Sequence, residues 1–161
     1  RFSDVTPEHL VKLQADHGVQ WADFDRDGDE DLALTGARPD GMHSLLRNTL
    51  APNAATRSLS VRVLDANGRS LRAGAVVRIY AESTRRLLGT RLVDAGSGYN
   101  SQNDQAVHFG LPAGPSATAL DVEVAFPAAG RRVTASVRGV KPQAYRGRAL
   151  TIRVGGGASG R

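Results

Sequence analysis

Ala119-Leu-Asp-Val-Glu-Val-Ala-Phe126 sets Leu120, Val122, Val124 and Phe126 at a spacing of two, with Asp121 and Glu123 between them. Successive side chains of a strand point to opposite faces, so this stretch has one buried face and one wet face. The same alternation recurs on either side of it, in Leu59–Leu64, Ala75–Tyr80, Arg86–Val93, Ala106–Phe109, Arg131–Val137 and Ala149–Val154. Strands at roughly ten-residue spacing, with no helix signal among them, predict an antiparallel β-sandwich. Asn67-Gly68, closing the first of these runs, predicts a hairpin turn with positive φ angles.

Upstream lie three shorter runs, Val19–Ala22, Asp31–Thr35 and Ser44–Arg47. They suffice for a small sheet but bury too little apolar area to stand alone. Trp21 is expected in its core. Pro7–Leu13 predicts a short helix capped by Thr6. Leu50–Thr56, without apolar periodicity and carrying Pro52 and Asn53, reads as a linker. The organisation expected is therefore a first unit over 1–54, a sandwich over 55–154 and a flexible glycine-rich tail over 155–161.

Composition narrows the chemistry. Hydrophobic residues make up 40% of the 161, yet aromatics only 5%, so the core must rest on Val, Leu, Ile and Ala. No run of about 18 apolar residues exists to span a bilayer, and no membrane insertion is expected. The absence of cysteine excludes disulfides, thiolate metal sites and thiol catalysis. Opening on Arg1 and a polar stretch, the chain shows no signal peptide and is expected to be part of a longer protein. Charge divides sharply along it. Residues 1–54 set five cations against ten carboxylates, net −5, and residues 55–161 set sixteen against six, net +10. The first unit suits a cation. In the second, Arg is spread rather than clustered with aromatics, which argues against nucleic acid as a partner.

The carboxylates of the first unit concentrate in Asp23-Phe-Asp25-Arg-Asp27-Gly28-Asp29-Glu-Asp31. Alternate aspartates folded into one loop repel each other unless a counter-ion sits among them. Calcium meets that need, taking six to eight oxygens at about 2.3–2.6 Å. Asp23, Asp25 and Asp27 would supply side-chain oxygens, Asp29 its backbone carbonyl, and Asp31 would close the shell, with Gly28 allowing the sharp turn. An EF-hand needs Glu at position twelve, where this loop has Leu34, and its flanks favour strands. Magnesium keeps its waters and wants fewer carboxylates. Zinc and copper want His or Cys, which the loop lacks.

Val19-Gln-Trp-Ala-Asp-Phe-Asp-Arg-Asp-Gly-Asp-Glu-Asp-Leu-Ala-Leu-Thr35, followed by Leu45-Leu-Arg-Asn48, resembles an FG-GAP (VCBS-type) repeat. Downstream, Gly74-Ala-Val-Val-Arg-Ile79, Gly96-Ser-Gly98 with Ser101-Gln102, His108-Phe-Gly-Leu111, and Val122–Pro127 before Gly130 resemble the ASPIC/UnbV domain. Phe126 stands where Trp is commoner, and Pro112 replaces the usual Gly. The pairing is similar to that of cartilage acidic protein-like chains. It implies an all-β fold in which a partial β-propeller blade with a calcium loop packs on, or is linked to, the sandwich. A propeller needs roughly four to eight blades, so the resemblance implies further blades in a parent chain. It also implies a secreted or cell-surface protein that adheres to a protein or carbohydrate ligand and is not an enzyme. The UnbV likeness leaves an alternative, an accessory protein or enzyme of bacterial secondary metabolism.

Two further features bear on chemistry. His108, with Ser97, Ser101, Asp94 or Asp104 nearby in sequence, could serve as a base, but Ala95-Gly-Ser-Gly-Tyr99 lacks the G-x-S-x-G spacing of a nucleophile elbow. A strand histidine bonded locally is the plainer reading. The loop Gly96–Gln102 precedes no helix that could offer amides to phosphate. Its Tyr99, Asn100 and Gln102 are candidate contacts for a sugar or peptide.

Overall fold

The computed structural model describes residues 1–11, 17–36, 43–69, 71–82, 84–114, 117–128 and 130–155. The chain is mostly β. A first helix, α1, spans Glu8–Val11, and Lys12 and Leu13 of the predicted helix lie outside the described residues, as do residues 156–161 of the tail. Three strands follow: β1 (Gly18–Ala22), β2 (Asp31–Thr35) and β3 (Ser44–Leu46). They form an antiparallel sheet in the order β1-β2-β3, with Trp21 opposite Leu32 and Leu32 opposite Leu46.

The expected linker has structure of its own. Pro52–Ala55 forms a one-turn helix, α2, whose Pro52 sits in the first turn, where its missing N–H costs nothing. Ala55 is buried, and its carbonyl lies close to Gly28.

Among the described residues seven more strands follow. β4 (Ser58–Asp65), β7 (Val107–Gly110) and β10 (Leu150–Val154) make one sheet in the order β10-β4-β7. β5 (Val76–Ala81), β6 (Leu87–Leu92), β8 (Leu120–Ala128) and β9 (Arg131–Val140) make the other, in the order β6-β5-β8-β9. The second sheet is antiparallel throughout.

Two expectations change here. β10 runs parallel to β4, with Leu150 opposite Val61 and Val154 opposite Asp65. The chain leaves β9 through a 3₁₀ turn at Pro142–Tyr145, so β10 enters in the direction of β4. The Asn67-Gly68 hairpin is shorter than expected: Leu71 bridges antiparallel to Leu64, and the Arg72 N–H donates to the Val63 carbonyl at 3.0 Å. Gly68 takes φ 72° and donates to the Asp65 carbonyl at 2.9 Å, yet β4 pairs with β7 and β10 while β5 pairs with β6 and β8.

Both sheets feed one core. Leu59, Val61 and Val63 of β4 and Ile152 and Val154 of β10 cluster with Val77 and Ile79 of β5 and Leu120, Val122 and Val124 of β8. Burying each such side chain is worth about 1.5–3 kcal/mol. The alternate positions of β4 (Ser58, Ser60 and Arg62) stay half-buried on the opposite face. No helix among the described residues is long and apolar enough to cross a membrane.

Candidate metal site

The aspartate loop joins β1 to β2, and the pair Ala22–Asp31 closes its base. Asp31 is buried, and both its oxygens are committed to the backbone. Oδ2 accepts from the Phe24 N–H at 3.1 Å and Oδ1 from the Asn48 N–H at 2.8 Å. The Asn48 side-chain amide then donates to the Glu30 carbonyl at 3.2 Å. One carboxylate therefore fastens both the loop's entry and the exit of β3.

Beyond that foot the chain turns on two left-handed residues, Arg26 at φ 62° and Gly28 at φ 108°. Backbone amides inside the loop orient its carboxylates. Asp23 Oδ2 accepts from Gly28 N–H at 3.1 Å, Asp25 Oδ1 from Asp27 N–H at 3.3 Å, and Asp27 Oδ1 from Asp29 N–H at 3.2 Å. Gly28 is required twice over. Its φ disfavours side chains, and a Cβ there would lie 2.6 Å from the carbonyl oxygen of Ala55 in α2.

These turns bring one oxygen each from Asp23, Asp25 and Asp27 within 4.8 Å of one another. Asp23 Oδ1 is buried without a hydrogen-bond partner, and so are both oxygens of Asp29. Burial pushes the Asp23 carboxyl above the usual carboxylate range, with the Gly28 amide pulling against it and the Asp27 charge adding to the rise. Burial likewise raises Asp29, helped by the charges of Asp27 and Asp31, with the Leu50 amide opposing. Arg47 partly answers the crowding. Its Nε lies 2.6 Å from Asp25 Oδ2 and its Nη2 3.3 Å from Asp27 Oδ2.

Of the five predicted ligands, then, the fold converges Asp23, Asp25 and Asp27, buries the Asp29 side chain nearby, and uses Asp31 as an anchor. The donor set is all oxygen, with Asp23 Oδ1 unpartnered, which suits a hard cation and not zinc or copper. Arg47 and Asn48 escaped the sequence reading as working residues. Their one signal is their place in the run Leu45-Leu-Arg-Asn48 that follows the aspartate-rich stretch.

The candidate contact loop lies elsewhere. Tyr99 is 69% exposed and meets the His17 ring edge-on at 5.2 Å, Asn100 takes φ 50°, and Gln102 is exposed. The residues after it run along the outer edge of β1. Asn103 Oδ1 accepts from the Trp21 N–H at 3.0 Å, and the Asp104 N–H donates to the Trp21 carbonyl at 3.0 Å. Trp21 itself is not core, being 43% exposed. It faces a cleft of about 380 Å³ shared with Asp29, Arg57 and His108. His108 Nδ1 stands 3.4 Å from Ser60 Oγ on the outer face of the β4–β7 pair.

Fold and site together define a β-rich chain with an acidic, oxygen-only cluster at Asp23, Asp25 and Asp27 that could hold a metal ion. Residues 66–145 match the family model described as ASPIC and UnbV, and the chain carries an ASPIC/UnbV domain over that stretch. Among curated proteins none matches the chain.

Proposed function

We propose that this chain is a calcium-stabilised interaction module of a secreted or cell-surface protein. In this reading residues 1–54 are the last FG-GAP-type propeller blade of a larger repeat protein. The two sheets of residues 55–154 form a β-sandwich behind it. The observation that carries the reading is the convergence of Asp23, Asp25 and Asp27 within 4.8 Å. Those three carboxylates would hold the ion, with Asp31 bracing the loop from beneath. Bound calcium would supply positive charge where Asp23 and Asp29 now crowd unpartnered oxygens, and would lock the loop against α2. The work is binding rather than catalysis. Its partner is a protein or carbohydrate at the cell surface, alongside the remaining blades of the parent chain.

Calorimetric titration of the chain with calcium chloride tests this. One equivalent of calcium should bind and be released to chelator. Asp25→Ala should abolish the uptake, whereas Asp65→Ala, at the far end of β4, should leave it intact. No calcium heat from the unaltered chain would retire the metal role.

A second reading, an accessory enzyme of secondary metabolism, draws on His108, which opens onto a cleft with a hydroxyl at 3.4 Å. That separation is at the long limit for a hydrogen bond, and the histidine's neighbours include no activated nucleophile pattern. A His108→Ala variant that retained every property of the chain would end it.

A further inference from the structure

The polar face of β4 forms the floor of a second, larger cleft. Leu59, Val61 and Val63 point into the core, so Ser58, Ser60 and Arg62 must point away from it, and Thr151 stands beside Arg62 on the parallel strand β10. The aspartate loop makes one wall and residues 145–149 the other. The walls meet where Gly147 approaches the Arg26 backbone, since a Cβ on Gly147 would lie 3.6 Å from the Arg26 carbonyl oxygen. The enclosed volume is about 760 Å³, within the range of small-ligand sites.

Its chemistry is specific. Arg26, Arg62, Arg146 and Arg148 line it against Asp23, Asp27 and Asp104. Four guanidinium groups against three carboxylates leave +1, and a divalent cation on the loop would make it +3. The Arg62 Nε–H is buried with no acceptor, while the same side chain reaches Asp104 only at 3.6 Å. A buried donor without a partner costs about 1–3 kcal/mol unless a ligand supplies an acceptor. Arg148 is already positioned, donating to the Ala144 carbonyl at 2.8 Å and lying over the Tyr145 ring at 5.3 Å. Phe24, 45% exposed, and Tyr145 add apolar faces to the walls.

We propose that this cleft binds an acidic carbohydrate, a sugar bearing sulfate or carboxylate. Guanidinium groups pair bidentately with such anions. The hydroxyls of Ser58, Ser60 and Thr151 match sugar hydroxyls, and the exposed Phe24 ring matches the apolar face of a pyranose. The carboxylates on the walls oppose a continuous phosphate backbone, which disfavours a nucleic acid. The proposal names a ligand class for the interaction module above, but the floor and Arg62 are built without the cation, so it stands apart from the calcium reading.

The test is titration of the full 161-residue chain with a sulfated disaccharide, once in calcium and once in chelator, followed by calorimetry and amide NMR. Binding with shifts at Ser60, Arg62 and Thr151 is expected in chelator, and tighter binding in calcium. Arg62→Ala should weaken it at least about tenfold, while Arg153→Ala, outside the cleft, should leave it unchanged. Melting curves check that both variants fold. Failure to bind in either arm at millimolar sugar overturns the proposal. So does equal binding of the unsulfated disaccharide, indifference to Arg62→Ala, or tighter binding of a DNA trinucleotide. Sugar binding without calcium uptake would remove the metal reading alone, and calcium uptake without sugar binding would remove this one alone.

Discussion

Replacing Gly28 by Ala tests whether the aspartate loop rests on α2. Two costs are expected. At φ 108° an alanine is strained by about 1–3 kcal/mol. Its Cβ would also lie 2.6 Å from the Ala55 carbonyl oxygen, a main-chain atom that moves only if the loop or helix shifts. Overpacking of that kind costs about 1–3 kcal/mol. Together the loss is about 2–6 kcal/mol, or roughly 4–24 °C in Tm for a chain of this size. Gly74→Ala is the matched control, because Gly74 also has positive φ, 85°, but a Cβ there would meet nothing within 4 Å. It should lose only the strain. Urea unfolding followed by Trp21 fluorescence gives both values, and their difference isolates the contact. If Gly28→Ala costs no more than Gly74→Ala, the loop does not pack on α2 and the described coupling is wrong.

Two further outcomes follow from the electrostatics. Arg47 ion-pairs with Asp25 and Asp27, the same carboxylates that converge on the candidate ion. Being largely solvent-exposed, it competes only weakly, so Arg47→Gln should raise calcium affinity by about two- to fivefold in low salt; titration calorimetry showing unchanged or weaker affinity would contradict this. The second concerns pH. Asp23 and Asp29 are both raised above the ordinary value of 3.8 in the folded chain. Their ionised forms therefore disfavour folding above the raised values, and this penalty is relieved as pH falls through them toward 3.8. These two groups should make the chelated chain more stable on mild acidification, whereas calcium affinity should fall over the same window. Asp29→Asn should flatten the first trend in melting scans taken in chelator.

How much of this was legible in the sequence depended on the kind of interaction. Period-two alternation located the strands to within about a residue or two, apart from β9, which runs on to Val140, because burial of one face is a local property of the chain. Direction is not. Leu150, Ile152 and Val154 alternate identically whether β10 runs parallel or antiparallel to β4, and only the path through Pro142–Tyr145 decides it. The aspartate loop was readable because alternate carboxylates around Gly28 are a local pattern. The anchoring role of Asp31 is not a local pattern, since its partner amide on Asn48 is seventeen residues away. Arg47, α2 and the Trp21–Asn103 bond share that difficulty. Trp21 reads as core by residue type, and its exposure follows from a three-stranded sheet that covers only part of its surface. The cleft beneath the loop was invisible because strands 4 and 10, its floor, are far apart in sequence.

The most direct measurement for the central claim is the melting temperature of the chain in millimolar calcium against excess chelator. A ligand present at a hundred times its Kd adds about 2.7 kcal/mol to the folded state, so calcium should raise Tm by roughly 5–10 °C. The rise should vanish in Asp25→Ala. Superimposable curves in calcium and in chelator would contradict the assignment of Asp23, Asp25 and Asp27 to a metal ion.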